Sequence, residues 1–181
     1  VRRSVDPWLI EDARTVSGEA DRSSTRLSAI DATERALDDG IGGIGESITR
    51  IFTTADQLAA DPANTSLHAQ FLQSVDDSAA AFRRTASALE SAANGVVQSA
   101  AGEVDALNTD LAALEKVNLG LRRARAGSTN EATLLDERDR LLDRISSALP
   151  VTTSFDARGA VTLTAADGGI PLVANGTVAT F

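Results

Sequence analysis

The chain has 181 residues, 43% of them hydrophobic and only 3% aromatic, with a formal net charge of −9 and a pI near 4.6. An acidic surface argues against nucleic-acid backbones and anionic membranes as partners, since both select for basic surface, and no apolar run approaches the ~20 residues of a membrane span. With no cysteine there is no disulfide framework, thiol nucleophile or thiolate metal site.

The first segment, Asp6 to Leu37, carries a helical pattern with Pro7 in the first turn, where a missing N–H costs little. Two heptad rows run along it, Val16, Ser23, Ile30, Leu37 and Ala13, Ala20, Leu27, Glu34. They lie opposite charged positions and predict a helix with one narrow buried seam. Trp8, the single Trp, reads as a core or staple residue near the helix start. Asp38-Asp39-Gly40 with Gly42, Gly43 and Gly45 ends the helix. A phosphate-binding glycine loop would need a preceding strand and a following Lys, and neither is there. The next helix runs from about Ile44 to Ala60 and is expected to bury Ile44, Ile48, Ile51, Phe52, Ala55 and Leu58. Asp61-Pro62-Ala63-Asn64 then makes a turn, because Pro disfavours helix in the residue before it and Asn tolerates turn geometry.

Ser66 to Ala124 contains no proline and reads as one very long helix, on the order of 85 Å at the usual rise per residue. Its apolar or small residues recur every three, four or seven positions, from Phe71, Val75, Ser78 and Phe82 to Leu107, Leu111, Leu114 and Leu121. This forms a single stripe expected to be covered by internal packing. Two double-four steps relax its period toward 3.6, so it should be nearly straight. The short turn before it requires an antiparallel neighbour. Arg122, Arg123 and Arg125 place cations at its C-terminal end, where they complement the macrodipole.

Gly127-Ser128-Thr129-Asn130 breaks that helix, and Ser128 with Glu131 has the spacing of a capping box for the next. The next helix, Glu131 to Leu149, buries Leu134, Leu135, Leu141, Leu142, Ile145 and Leu149. Its carboxylates, including Asp136 and Asp139, alternate with arginines as surface ion pairs do. From Pro150 the period changes to two. Val151–Phe155 and Ala160–Thr164 flank a hairpin turn, Ile170–Val173 follows Asp167-Gly168-Gly169, and Asn175-Gly176 precedes Thr177–Phe181. The fold expected is mainly α: an elongated antiparallel helical bundle with one very long helix, then a small C-terminal β unit, α+β overall. Residues 1–149 form the bundle and residues 150–181 a β-hairpin region that stops before its sheet is complete.

The one histidine, His68, stands without a Cys or a Ser nucleophile motif, so neither a triad nor a metal site is expected, and no cofactor. Beginning at Val1 and lacking Met, the chain reads as an excised or processed piece.

The run Leu134-Leu135-Asp136-Glu137-Arg138-Asp139-Arg140-Leu141-Leu142, followed by Ile145-Ser146 and a Val-Thr strand, resembles the "LLDxRDxLLxxLS" signature of the flagellar hook-associated protein 1 (FlgK) family. Gly159-Ala160-Val161 and Gly169-Ile170-Pro171-Leu172-Val173 look like that family's following strands. Arg3, Asp6, Trp8-Leu9 and Arg14 sit where it enters its first long helix, and Ile51-Phe52, Leu58 and Pro62 look like its next helix and turn. Two departures are His68, where the family often has Arg, and Glu115 after Leu114, where an Asn is common. The resemblance implies a non-enzymatic structural subunit at the hook–filament junction, with a helical shaft domain and the beginning of an outer β domain. It also implies export through the flagellar channel to an extracellular position and partners that are other copies of itself, the hook protein and the next hook-associated protein. A cytosolic export chaperone would bind through a terminal segment absent here, and the piece itself would be monomeric. A flagellin-like filament subunit and a non-flagellar interaction or signalling bundle are the alternatives the helices alone allow.

Overall fold

The computed structural model describes residues 7–37 and 40–181, with the side chains of Pro7 and Trp8 outside that description. Among the described residues are four helices, α1 (Pro7–Ala36), α2 (Ile44–Ala60), α3 (Thr65–Arg123) and α4 (Thr129–Ala148). Four strands follow, β1 (Val151–Phe155), β2 (Val161–Ala165), β3 (Pro171–Ala174) and β4 (Thr177–Val178). The mainly helical chain with one very long helix and a small β unit is thus the fold observed.

Local chemistry sets the boundaries. Asn64 caps α3, its Oδ1 accepting from the N–H groups of Ser66 at 3.0 Å and Leu67 at 3.3 Å. At α4 the Ser128 hydroxyl accepts from Glu131 N–H at 3.2 Å, and the Glu131 carboxylate reaches back to Gly127 N–H. That is the capping box the spacing predicted, shifted by one donor. Glu46 does the same for α2, accepting from Gly42 N–H at 2.6 Å.

The chain divides into two compact units. One comprises the chain up to Arg26 together with Ser99–Phe181. In it the strands form an antiparallel sheet in the order β1-β2-β3-β4, with Val151 opposite Ala165, Phe155 opposite Val161, and a register shift at Leu163/Thr164. Asn175 at φ 50° and Gly176 at φ 87° make the tight turn between β3 and β4. Its core is a single cluster: Leu107, Leu111, Leu114, Val117 and Leu121 of α3, Leu141, Leu142 and Ile145 of α4, and Val161, Leu163, Leu172 and Val173 of the sheet. Amphipathic helix faces and alternating strand residues meet there to remove apolar surface from water, the main source of stability.

The face that α1 turns inward in this unit is polar. Arg14 and Gly18 are buried while Leu9 and Val16 are each more than half exposed, as are Leu27, Ile30 and Leu37 in the part of α1 that belongs to the second unit. The buried seam expected along the heptad rows is therefore reversed. The cause is close approach. A Cβ on Gly18 would lie 2.3 Å from the Ser146 carbonyl oxygen, so only glycine lets α1 come this near α4.

The second unit, Leu27–Gln98, holds the remainder of α1, α2 and the first part of α3. Its contact between α2 and α3 is made by small hydroxylated residues. Ser47 Oγ donates to Ser78 Oγ at 3.2 Å and Thr54 Oγ1 lies 2.9 Å from Ser74 Oγ, with Ser47, Ser74, Ser78 and Ala81 buried. The expected apolar faces are covered only in part: Ile44, Ile51, Ala55 and Leu58 of α2 and Phe71, Ser78 and Leu89 of the long stripe are buried or half-buried, whereas Ile48, Phe52, Val75, Phe82 and Val96 are exposed. Helices that approach through Ser and Ala bring their backbones close, and bulky neighbours are then displaced to the flanks.

Candidate functional site

Among the described residues no group of three or more His, Cys, Asp or Glu side chains is placed to hold a metal ion, and no helix is long and apolar enough to cross a membrane. His68 Nε2 lies 2.9 Å from the Pro62 carbonyl oxygen, closing the turn before α3. The candidate site is instead the junction built by the signature on α4, together with the surfaces the fold leaves uncovered.

The signature residues act on different neighbours according to helical position. Leu134 lies against Gly120 of α3, where an added Cβ would come within 3.1 Å of it. Leu135 lies against Gly159, in the turn between β1 and β2, where a Cβ would come within 2.8 Å. Gly159 also has φ +79°, a conformation that side chains rarely adopt. Arg138 NH1 donates to the Gly159 carbonyl at 2.7 Å, its Nε donates to Asp139 Oδ1 at 2.9 Å, and its guanidinium stacks 4.6 Å from the Phe155 ring centroid. Arg138 thus binds the hairpin by hydrogen bond and cation–π contact while Asp139 holds its fork in place. Asp136 lies on the exposed side of the helix. The hairpin returns a contact: Arg158 NH1 donates to the Ala124 carbonyl at 3.1 Å, at the end of α3.

A second polar cluster ties α1 to α4. Arg14 Nε donates to Asp143 Oδ1 at 2.8 Å and its NH1 to Glu11 Oε2 at 3.3 Å, while the same Glu11 oxygen accepts from Thr153 Oγ1 at 3.0 Å. Arg22 NH1 donates to the Ser146 carbonyl at 2.7 Å, satisfying one of the unpaired carbonyls at the end of α4. A cavity of about 250 Å³ lies among Glu11, Arg14, Glu19, Arg22, Ser146 and Val151. The buried Ser146 hydroxyl has no hydrogen-bond partner among the described residues.

Further along α4, Arg144 grips Asp110 of α3 with two bonds, Nε to Oδ2 at 3.0 Å and NH2 to Oδ1 at 2.8 Å. The Asp110 carboxylate holds this guanidinium above its ordinary pKa. The charged face of α4 is therefore more than a row of surface pairs: Arg140 with Glu137 fits the expected spacing, whereas Asp143 and Arg144 reach other helices. Glu46 is held below the usual carboxylate range, first by the Gly42 N–H and then by Arg50.

Of the residues singled out from sequence, Leu134, Leu135, Arg138 and Asp139 converge on one junction. Leu9 and Phe52 stand exposed at 58% and 67%, Pro62 is exposed, and Asp6, Arg3 and Asp38-Asp39 lie outside the described residues, as does the Trp8 side chain. Arg122 turns back to Glu115, NH1 to Oε1 at 3.5 Å, in addition to standing in the last turn of α3. Sequence reasoning missed Asn118, Asn108 and Gly18. An Asn in mid-helix and a Gly in a helical run are the signals that each carried.

A family model described as the flagellar hook-associated protein FlgK helical domain matches residues 30–181. No curated protein matches the chain.

Proposed function

The chain belongs to the FlgK helical-domain family of flagellar hook-associated proteins, a structural component of the flagellum, and from that premise we propose that it serves at the junction between hook and filament. The observation that carries this reading is the signature on α4. Leu134, Leu135 and Arg138 fasten the hairpin and α3 to one helix, so the "LLDERD" run has a structural task in the stretch that the family model matches. In this reading residues 1–149 form the helical shaft and residues 150–181 begin an outer β domain. The protein is exported through the flagellar channel and contacts other copies of itself, the hook protein and the next hook-associated protein. A cytosolic chaperone delivers it, binding outside this stretch. It performs no catalysis.

Gold labelling of the protein on isolated flagella tests the position, with label expected at the hook–filament boundary. A deletion strain is expected to secrete flagellin without assembling filaments. Normal filaments in that strain, or label spread along the filament, would overturn the assignment.

A further inference from the structure

We propose that residues 93–106 of α3 and residues 23–28 of α1 form a flexure, at which the two helices open and bend while both compact units stay folded. These are the places where the chain passes from one unit to the other, at Arg26/Leu27 in α1 and at Gln98/Ser99 in α3. Every residue in 93–106 is exposed, about four turns of helix with no covered face. Its valines, Val96, Val97 and Val104, are 44%, 68% and 38% exposed. None of its side chains has a hydrogen-bond or ion-pair partner among the described residues, and a Cβ on Gly95 or Gly102 would meet nothing within 4 Å. Residues 23–28 are likewise all exposed.

A helix without neighbours must be held by its own residues, because most helical stability in proteins comes from packing and an isolated stretch of this length is marginal in water. The residues at the α3 crossing do the reverse. Asn94, Gly95, Val96, Val97, Ser99 and Gly102 are all weak helix formers, and the two glycines stand one turn to either side of Gln98/Ser99. The charged residues of the stretch are Glu103 and Asp105, both acids, so no ion pair along the helix compensates. At the α1 crossing Ser23, Ser24, Thr25 and Ser28 carry hydroxyls, which compete with the helix for backbone groups. Exposure and composition are independent properties, and at both crossings they coincide. Gly120, by contrast, is packed against Leu134, so a glycine weakens α3 only where nothing supports it. Opening at residues 93–106 breaks main-chain hydrogen bonds but exposes almost no further apolar surface, which makes it the least costly break in α3. The direction of α3 on one side is then not fixed by its direction on the other. The flexure does not depend on which position the subunit occupies in the flagellum.

Hydrogen exchange of the 181-residue chain, followed amide by amide, tests the opening. The amides of Val97 to Val104 should exchange roughly tenfold or more faster than those of Leu107 to Leu121, and faster than those of Ser74 to Ala88. In α1 the amides of Ser24 to Ser28 should exchange faster than those of Arg14 to Gly18. Gly95→Ala combined with Gly102→Ala should slow Val97 to Val104 by roughly tenfold or more, two increments of helix propensity, and leave Leu107 to Leu121 unchanged. Spin labels on Arg83→Cys and Lys116→Cys, the only thiols in a chain without cysteine, read the bending. Both positions are exposed, and a straight helix separates them by about 50 Å. Their distance distribution should be broad, extend below that value, and narrow toward it in the double alanine variant. Exchange at either crossing as slow as in the packed stretch of the same helix overturns the proposal, as does a single narrow distance in the parent chain. So does equal slowing of Val97–Val104 and Leu107–Leu121 by the alanines, which would mean that both exchange only through global unfolding.

Discussion

The side-chain amide of Asn118 holds both backbone groups of Val161, its Oδ1 accepting from the N–H and its Nδ2 donating to the C=O, each at 2.8 Å. Asn118 is fully buried, so this pair docks α3 onto β2 as an additional strand residue would. Asn108 repeats the arrangement on Phe181, with bonds of 3.0 Å and 3.1 Å. Replacing Asn118 by Ala leaves a buried donor and acceptor unpaired and is expected to cost about 3 kcal/mol. Asn118→Asp, which cannot donate to the carbonyl, is expected to cost at least as much. Urea unfolding midpoints at constant m-value check both.

Gly159→Ala is expected to destabilise by about 2–3 kcal/mol, since it adds strain at positive φ to a clash with Leu135. Gly168→Ala shares the positive φ but meets nothing within 4 Å, so it should cost only the conformational part, about 1 kcal/mol. Equal losses for the two would show that the Leu135 contact is not what requires glycine at 159.

Three helical glycines should respond to one substitution with opposite signs. Gly95 and Gly102 in α3 have no neighbour within 4 Å, so alanine there should stabilise by about 1 kcal/mol through helix propensity. Gly18→Ala gains the same propensity but drives a methyl into the Ser146 carbonyl. A net loss of about 1–3 kcal/mol is expected, with α1 displaced from α4. Thermal melts of the three variants give the comparison directly.

Much of this was legible in sequence wherever the cause is local. Ser128 with Glu131 announced the start of α4, Asn175-Gly176 the last turn, and the Leu107–Leu121 stretch a covered face, because caps, turns and periodicity are set by residues a few positions apart. The direction of the α1 seam and of the Phe71–Val104 stripe was not legible. Periodicity tells that a helix has an apolar face, but not whether this chain covers it. The covered faces here were chosen by Ser47, Ser74, Ser78 and Gly18, small residues whose value is the proximity they permit. Asn118 was hidden for a similar reason: its partner lies across the fold, and nothing near it in the chain marks the pairing.

Glu46 supplies a pH dependence whose sign follows from its lowered pKa. The ordinary value is 4.5, so the folded state binds the Glu46 proton less readily than the unfolded state. Its contribution to stability is therefore fully present above pH 4.5 and is lost as the pH falls through the lower, folded value. Glu46→Gln should be less stable than the parent at pH 7, and the difference should shrink as the pH falls below 4.5 and vanish only below the lowered, folded value. Melting temperatures of the two across pH 7 to 3 would show it; a gap that persists in acid would mean that the carboxylate charge is not the cause.

The hydroxyl-lined contact between α2 and α3 has a thermal consequence. Among the described residues of Leu27–Gln98 the only buried hydrophobic side chain is Ala81. Unfolding there exposes little apolar surface, and the associated heat-capacity change must be small. The leucine-rich end of the same α3 helix has the opposite property. Amide protons at Ser74 to Ala88 are thus expected to exchange with solvent faster than those at Leu107 to Leu121. One unbroken helix would then carry two different lifetimes for its hydrogen bonds, set by what each part leans on and not by the helix itself.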